Sequence, residues 1–351
     1  MDKLVTMDGE QLMSEPLPPI RFVAERLLPQ GLSILAGAPK IGKSWLALWL
    51  CLQVANGEAV WGFPTARATV LYLCLEDSFT RIQTRLCRIA DDAPKNLHFA
   101  TVAASLGEGL ERQIEKFLSL HPDTSLIVID TLQRIRKQAP DANPYAGDYR
   151  DIVLLKKLAD RYNIAVILIH HLRKMSDEDP VNMISGTTGI SGGADATYVL
   201  KRDSRSADTA ILYCTGRDIE YRELRLEFDR NTYVWNLLSD NRDAAPEPSD
   251  PTISFLADFI RARGSFTGTA TALAEEMERS GGEKLLPNVL MKKIIRNQVE
   301  LSRNGIVFSA KRTHDRRELT LARVDNDGND GKSDMASVPN LPSQLSQPSQ
   351  A

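Results

Sequence analysis

The chain has 351 residues, of which 42% are apolar and 25% charged, and its formal net charge is −3. This is an ordinary globular composition, with enough length for two domains and a sizeable core. No run of 18 apolar residues is present, so no membrane span is expected. The acidic N-terminus lacks the apolar segment of a secretory signal, so a cytoplasmic protein is expected. The cysteines are Cys51, Cys74, Cys87 and Cys214; none forms a C-x-x-C pair or stands at ligand spacing to a histidine. They are expected to be buried, reduced thiols, with no zinc site and no disulfide framework.

Residues 1–20 are rich in Pro near their end and are expected to be a flexible lead-in. Residues 21–28 read equally as a short helix or strand. From Gly31 the pattern becomes regular. Gly31-Leu-Ser-Ile-Leu-Ala36 is a short apolar strand, followed by a Gly-containing loop and a helix over Trp45–Val54 that is apolar almost all round. Thr69–Leu75 is a second buried strand, ending at Glu76-Asp77. An amphipathic helix follows over Ser78–Ala90, with Arg81, Arg85 and Arg88 on one face.

A helix over Leu110–Leu120, a strand over Ser125–Asp130, a helix over Asp148–Tyr162 and a strand over Ile164–His170 come next. Ala196–Lys201, Thr209–Thr215, Leu224–Phe228 and Thr232–Leu237 read as later strands. Continuously apolar strands alternating with helices define an α/β domain with a mostly parallel sheet, extended antiparallel near 196–237. This domain is placed at 21–238. A Pro-, Asp- and Ser-rich linker follows at 239–251, then a small domain at 252–324 and a low-complexity tail at 325–351, expected to be disordered.

Gly37-Ala38-Pro39-Lys40-Ile41-Gly42-Lys43-Ser44 matches G-x-x-x-x-G-K-[ST] without substitution, between a strand and a helix. Glycines allow backbone N–H groups to turn toward a phosphate, and the helix N-terminus adds partial positive charge. Lys43 is expected on the β- and γ-phosphates, and the Ser44 hydroxyl on Mg²⁺. Asp130 ends an apolar strand and is expected beside that metal. Glu76, at the end of the strand after the loop helix, is the candidate to orient an attacking water, with Asp77 as its rival. The implied cofactors are ATP and Mg²⁺.

Four segments together resemble the RecA/DnaB-like AAA ATPases typified by the hexameric plasmid replicative helicase RepA. They are Gly37–Trp45, Leu71-Tyr-Leu-Cys-Leu-Glu-Asp77, Val128-Ile-Asp-Thr131 and Leu168-Ile-His-His171. The resemblance covers roughly residues 20–237. It implies a homo-hexameric ring with ATP between subunits and Glu76 as catalytic base. It also implies His170 or His171 as the γ-phosphate sensor, and an arginine finger reaching the neighbouring site. Arg217 is the candidate finger, with Lys201 and Arg202 as rivals. The stretch Met175–Ala194, which contains the Gly- and Ser-rich Ser185–Gly193 and has Arg173 and Lys174 before it, is expected to be a channel-lining loop for single-stranded DNA. Residues 137–149 are a second long loop of the same ambiguity.

In the small domain, Ile253, Leu256, Phe259 and Ile260 share one helical face. Thr269–Glu278 and Pro287–Arg303 read as two further helices, with Thr267-Gly268 as a cap region. Two strands follow, Gly305–Ala310 and Glu318–Ala322, joined by a basic turn. Between 287 and 324, nine Lys/Arg stand against three acids, a net +6. Three helices with a basic hairpin outline a winged helix, whose third helix would enter a duplex major groove.

Overall fold

The computed structural model describes residues 6–15, 17, 19–136, 144–172, 183–184, 188–202, 204, 207–242, 250–312 and 317–323. It divides into two compact units, Ile20–Pro246 and a second made of Met1–Pro19 with Glu247–Ala351.

In chain order the elements begin with a short helix, α1 (Gly9–Ser14), capped by the Asp8 carboxylate, which accepts from Gln11 N at 2.7 Å. This helix lies within residues 1–20, expected as a flexible lead-in, and groups with the C-terminal unit. The large unit runs β1 (Phe22–Ala24), β2 (Leu28–Pro29), β3 (Gly31–Gly37), α2 (Lys43–Asn56), β4 (Thr69–Cys74) and α3 (Phe79–Ile89). It continues through β5 (Leu97–Ala100), α4 (Leu110–Leu120), β6 (Thr124–Asp130), α5 (Leu132–Ile135), α6 (Pro144–Tyr162), β7 (Ala165–His171) and α7 (Thr188–Gly193). It ends with β8 (Ala196–Arg202), β9 (Thr209–Gly216), β10 (Arg222–Phe228) and β11 (Trp235–Asp240).

Nine of these strands form one sheet in the order β11-β10-β9-β8-β3-β7-β6-β4-β5. The strands from β8 to β5 in that order are parallel, and β9, β10 and β11 extend the sheet antiparallel. β3 is buried along its whole length. Its side chains alternate: Leu35 packs on the face that α2 covers, and Leu32, Ile34 and Ala36 pack on the face covered by α4 and α6. That double cover explains the unbroken apolar strands.

Four readings are corrected here. Residues 188–193 are not a loop: they form α7, with Ile190 fully buried. A Cβ on Gly193 would lie 2.6 Å from Ile152 Cγ2, so close packing on α6 demands this glycine. Of the second expected loop, residues 144–149 open α6, and Asp148 accepts from Arg136 at 2.5 Å. Cys87 is exposed, while Cys51, Cys74 and Cys214 are buried. Arg173, Lys174, residues 137–143 and 185–187, most of the linker and the tail lie outside the described residues. Ser239 and Asp240, assigned to that linker, belong to β11.

The C-terminal unit contains α8 (Pro251–Arg263), β12 (Ser265–Gly268), α9 (Ala270–Arg279), α10 (Pro287–Arg296), α11 (Gln298–Arg303), β13 (Ile306–Arg312) and β14 (Arg317–Arg323). Asp250 and Thr269 cap α8 and α9 through their side chains, and Pro251 occupies the first turn of α8. The expected helix over 287–303 is two helices, because Asn297 at φ −110°, ψ 26° interrupts it. β12 was read only as a cap region, since its partner β14 lies some fifty residues away and local sequence carries no trace of the pairing. Its Phe266 joins Ile253, Leu256, Ile260, Leu273, Leu290, Ile294, Leu301 and Leu321 in one core. The sheet order is β12-β14-β13, all antiparallel.

Candidate active site at the carboxyl edge of the sheet

The phosphate motif spans the turn from β3 to α2. Gly42 caps α2 at φ +108°, a left-handed conformation that favours glycine. A Cβ there would also stand 3.0 Å from the Trp235 indole nitrogen. Lys43 is buried and donates from Nζ to the carbonyls of Gly37 (2.7 Å) and Ala38 (3.0 Å). Burial lowers its pKa from 10.5 to about 8, against the upward pull of the Asp130 and Glu76 charges.

Parallel pairing sets Cys74 beside Asp130 at the ends of β4 and β6, which brings the two strand-end carboxylates to one place. Asp130 Oδ2 accepts from Ser44 Oγ at 2.8 Å and from the Tyr72 hydroxyl at 3.1 Å. Burial raises the Asp130 pKa, and these two hydrogen bonds pull it back. Glu76, exposed just beyond β4, accepts from Thr131 Oγ1 at 3.1 Å. Its rival Asp77 is instead paired with Arg81 (2.9 Å) and Arg85 (2.5 Å). Tyr72 and Thr131 lie in segments that carry the resemblance, but neither was assigned a role from the sequence. The available signal for Tyr72 was a hydroxyl-bearing side chain inside a strand that is otherwise aliphatic near its end.

The pairing of β3 with β7 sets His170 beside Ala36 and His171 beside Gly37, so both reach the phosphate-loop edge. His170 is buried and His171 half-buried. Lys201 and Arg202 end β8 on that same edge. Lys201 is exposed. Arg202 lies over the rings of Trp235 (5.1 Å) and Phe228 (5.7 Å) and donates to the Ala207 carbonyl at 2.9 Å. Trp45 stacks on Tyr233 at 4.6 Å, and Arg85 and Arg88 lie over Trp45 and Tyr233 respectively.

Arg217 is elsewhere. Gly216 pairs with Ala196 at the start of β8, four residue steps, or about 13 Å, from the phosphate-loop end. Its guanidinium contacts Asp195 at 3.4 Å, so the fold does not bring Arg217 to the phosphate loop of its own chain.

These residues fit a Mg²⁺-nucleotide. A buried ammonium, a loop whose turn only glycine accepts, and a hydroxyl–carboxylate pair stand together. No group of three or more His, Cys, Asp or Glu at metal-binding distance occurs among the described residues. One hydroxyl and one carboxylate suit Mg²⁺, which keeps water and phosphate oxygens as its other ligands.

On the C-terminal unit, Lys292 and Arg296 are exposed on α10. Lys293, counted with them from the sequence, is held by Asp250 (2.9 and 3.0 Å) and by Thr252 Oγ1 (2.9 Å). The side chains of Arg303, Arg312, Arg316 and Arg317 lie outside the described residues.

The central parallel sheet, the phosphate loop after β3 and the carboxylates ending β4 and β6 define the class of fold: the large unit has the RecA-like P-loop fold. Residues 3–177 match the family model described as an AAA domain. The DNA repair protein RadA of Streptococcus pyogenes serotype M6 is 28% identical over 158 residues, covering 44% of this chain and 30% of the relative. RadA of Streptococcus pneumoniae is 28% identical over 159 residues, covering 44% of this chain and 33% of that protein. The chain thus spans about a third of the length of these relatives. Among solved structures, a DnaB-like replicative helicase matches with a TM-score of 0.50 and 17% identity, over 61% of this chain and 59% of that one. A separately solved ATPase domain matches with a TM-score of 0.50 and 16% identity, over 61% and 86%. No described helix is long and apolar enough to cross a membrane.

Proposed function

We propose that the protein is an ATP-hydrolysing, DNA-associated motor, a hexameric replicative helicase of a phage or plasmid. The observation that carries this reading is the convergence of Lys43, Ser44, Asp130 and Glu76 on one sheet edge, with Ser44 and Asp130 hydrogen-bonded at 2.8 Å. Mg²⁺-ATP, when bound, supplies an electrophilic phosphorus with a metal-neutralised leaving group. Residues Gly37–Trp45 bind the phosphates, with Lys43 as their cation; Ser44 and Asp130 hold the metal and its water. Glu76, oriented by Thr131, accepts a proton from the attacking water. His170 or His171 senses the γ-phosphate. Arg217 serves a neighbouring copy as the finger, with Lys201 as rival; Arg202 is engaged by stacking on Trp235 and Phe228.

Helices α8, α9 and α10 with the β13–β14 hairpin, α11 being an addition to them, support reading the C-terminal unit as a winged helix. We assign it to duplex DNA, through Lys292 and Arg296 of α10. Likeness to a DNA repair protein and to a replicative helicase supports a DNA partner. The test is the ATPase rate with and without single-stranded DNA, with mass by light scattering in ATP. Stimulation with a hexamer supports the motor. A DNA-insensitive monomer or dimer would favour a nucleotide-gated DNA-binding regulator instead.

A further inference from the structure

Tyr72 lies at the centre of β4, 2% exposed, with its ring against Phe99 at 6.3 Å. An aliphatic side chain or phenylalanine would fill this core position without burying a hydroxyl, which costs free energy unless it is hydrogen-bonded. The hydroxyl is satisfied by one group, Oδ2 of Asp130, at 3.1 Å. Ser44 Oγ donates to that same oxygen at 2.8 Å.

Two donors on one oxygen fix the carboxylate's rotation and leave Oδ1 as the oxygen that neither hydroxyl occupies. Ser44 can keep its proton on Asp130 while offering a lone pair to a metal. Tyr72 has no such second role, because it is enclosed by the core between β4 and α2. The phenol therefore acts on the aspartate alone.

We propose that Tyr72 is a positioning residue for the metal-holding aspartate. Its buried hydroxyl, with that of Ser44, commits Oδ2 of Asp130 and leaves Oδ1 for the hydrated Mg²⁺ that would accompany a bound nucleotide. The proposal rests on the nucleotide-site reading above and assigns Tyr72 a part in it. Because β4 also leads into Glu76, the same phenol ties the metal side of the site to the strand that presents the water-orienting carboxylate.

The test measures ADP affinity by calorimetry, in Mg²⁺ and in EDTA, for the full chain and for Tyr72→Phe, with thermal melting of both. The expected result is a loss of about ten-fold in the Mg²⁺-dependent gain of the variant, the size of one hydrogen bond to a charged group. Its metal-free ADP affinity should match wild type. Asp130→Asn should lose the same gain, and Tyr72→Phe should add little in that background. A purely structural tyrosine would instead lower affinity equally with and without metal, alongside the melting temperature; that result overturns the proposal, as does an unchanged Mg²⁺ gain. If wild type itself binds no ADP, the site reading falls and takes the proposal with it.

Discussion

The two edges of the nine-stranded sheet each hold a buried aspartate near a lysine, and they are built for different ends. At the N-terminal edge, Asp195 accepts from Lys156 Nζ at 2.5 Å on both oxygens, from Leu32 N at 3.0 Å and from Arg217 at 3.4 Å. Gly31 makes room for it; a Cβ there would stand 2.5 Å from Asp195 Oδ2. That carboxylate is saturated. At the carboxyl edge, Lys43 is held by backbone carbonyls rather than by Asp130, and Asp130 takes neutral hydroxyl donors. Cation and anion feel each other without forming an ion pair, and both remain available to a phosphate and a metal. A buried carboxylate with its charge already matched is structural; one supported only by neutral donors is left with charge to use.

The largest effect should come from breaking the saturated edge. Asp195→Ala leaves Leu32 N without its acceptor and Lys156 to the more distant Asp160 at 3.5 Å, and should cost about 3–5 kcal/mol in denaturant unfolding. A loss under about 1 kcal/mol would end the contrast between the edges. At the other edge, Glu76→Gln should slow ATP turnover by about 10²–10⁴-fold while ADP affinity holds; turnover within a few-fold of wild type would point to another base. Lys43→Ala should weaken ADP binding by about 100-fold, the scale of a charge-assisted phosphate contact, without destabilising the fold.

A pH series sharpens the same contrast. Lys43 titrates near 8 in the fold and at 10.5 when unfolded, so between these values the unfolded chain binds more protons. The Lys43 contribution to stability is therefore present above pH 10.5 and lost as pH falls through about 8. The melting temperature of Lys43→Met should exceed that of wild type by a margin that narrows from pH 8 to pH 10. A constant margin would mean Lys43 titrates normally. The smallest effect belongs to Arg217→Ala: its side chain is 59% exposed, so the change should cost less than about 0.5 kcal/mol in urea unfolding. A turnover loss of 10³-fold in that variant, with assembly intact, would support the finger role; an unchanged rate would move it to Lys201.

The sheet-forming strands were legible because burial on both faces leaves runs such as Leu126–Ile129 with no polar interruption. The phosphate loop was legible because few sequences other than Gly37–Ser44 satisfy the turn, the cation and the hydroxyl together. α7 was missed because Gly, Ser and Thr dominate 188–193, and the helix rests on Ile190 entering the core beside α6. β5 and β12 were missed for a related reason: each is four residues long and exists through pairing with a strand distant in sequence.

By itself, then, the sequence determined the class of fold and the chemistry of the phosphate edge, because both are written in local patterns of burial and in one contiguous motif. Only the tertiary structure decided which carboxylate keeps its charge available. It separated Glu76 from the ion-paired Asp77, placed Arg217 with Asp195, took Lys293 out of the exposed basic face and gave Asp130 its second donor in Tyr72. Those assignments depend on which side chains meet across strands and helices, and pairwise contacts between distant residues leave no periodicity in the chain.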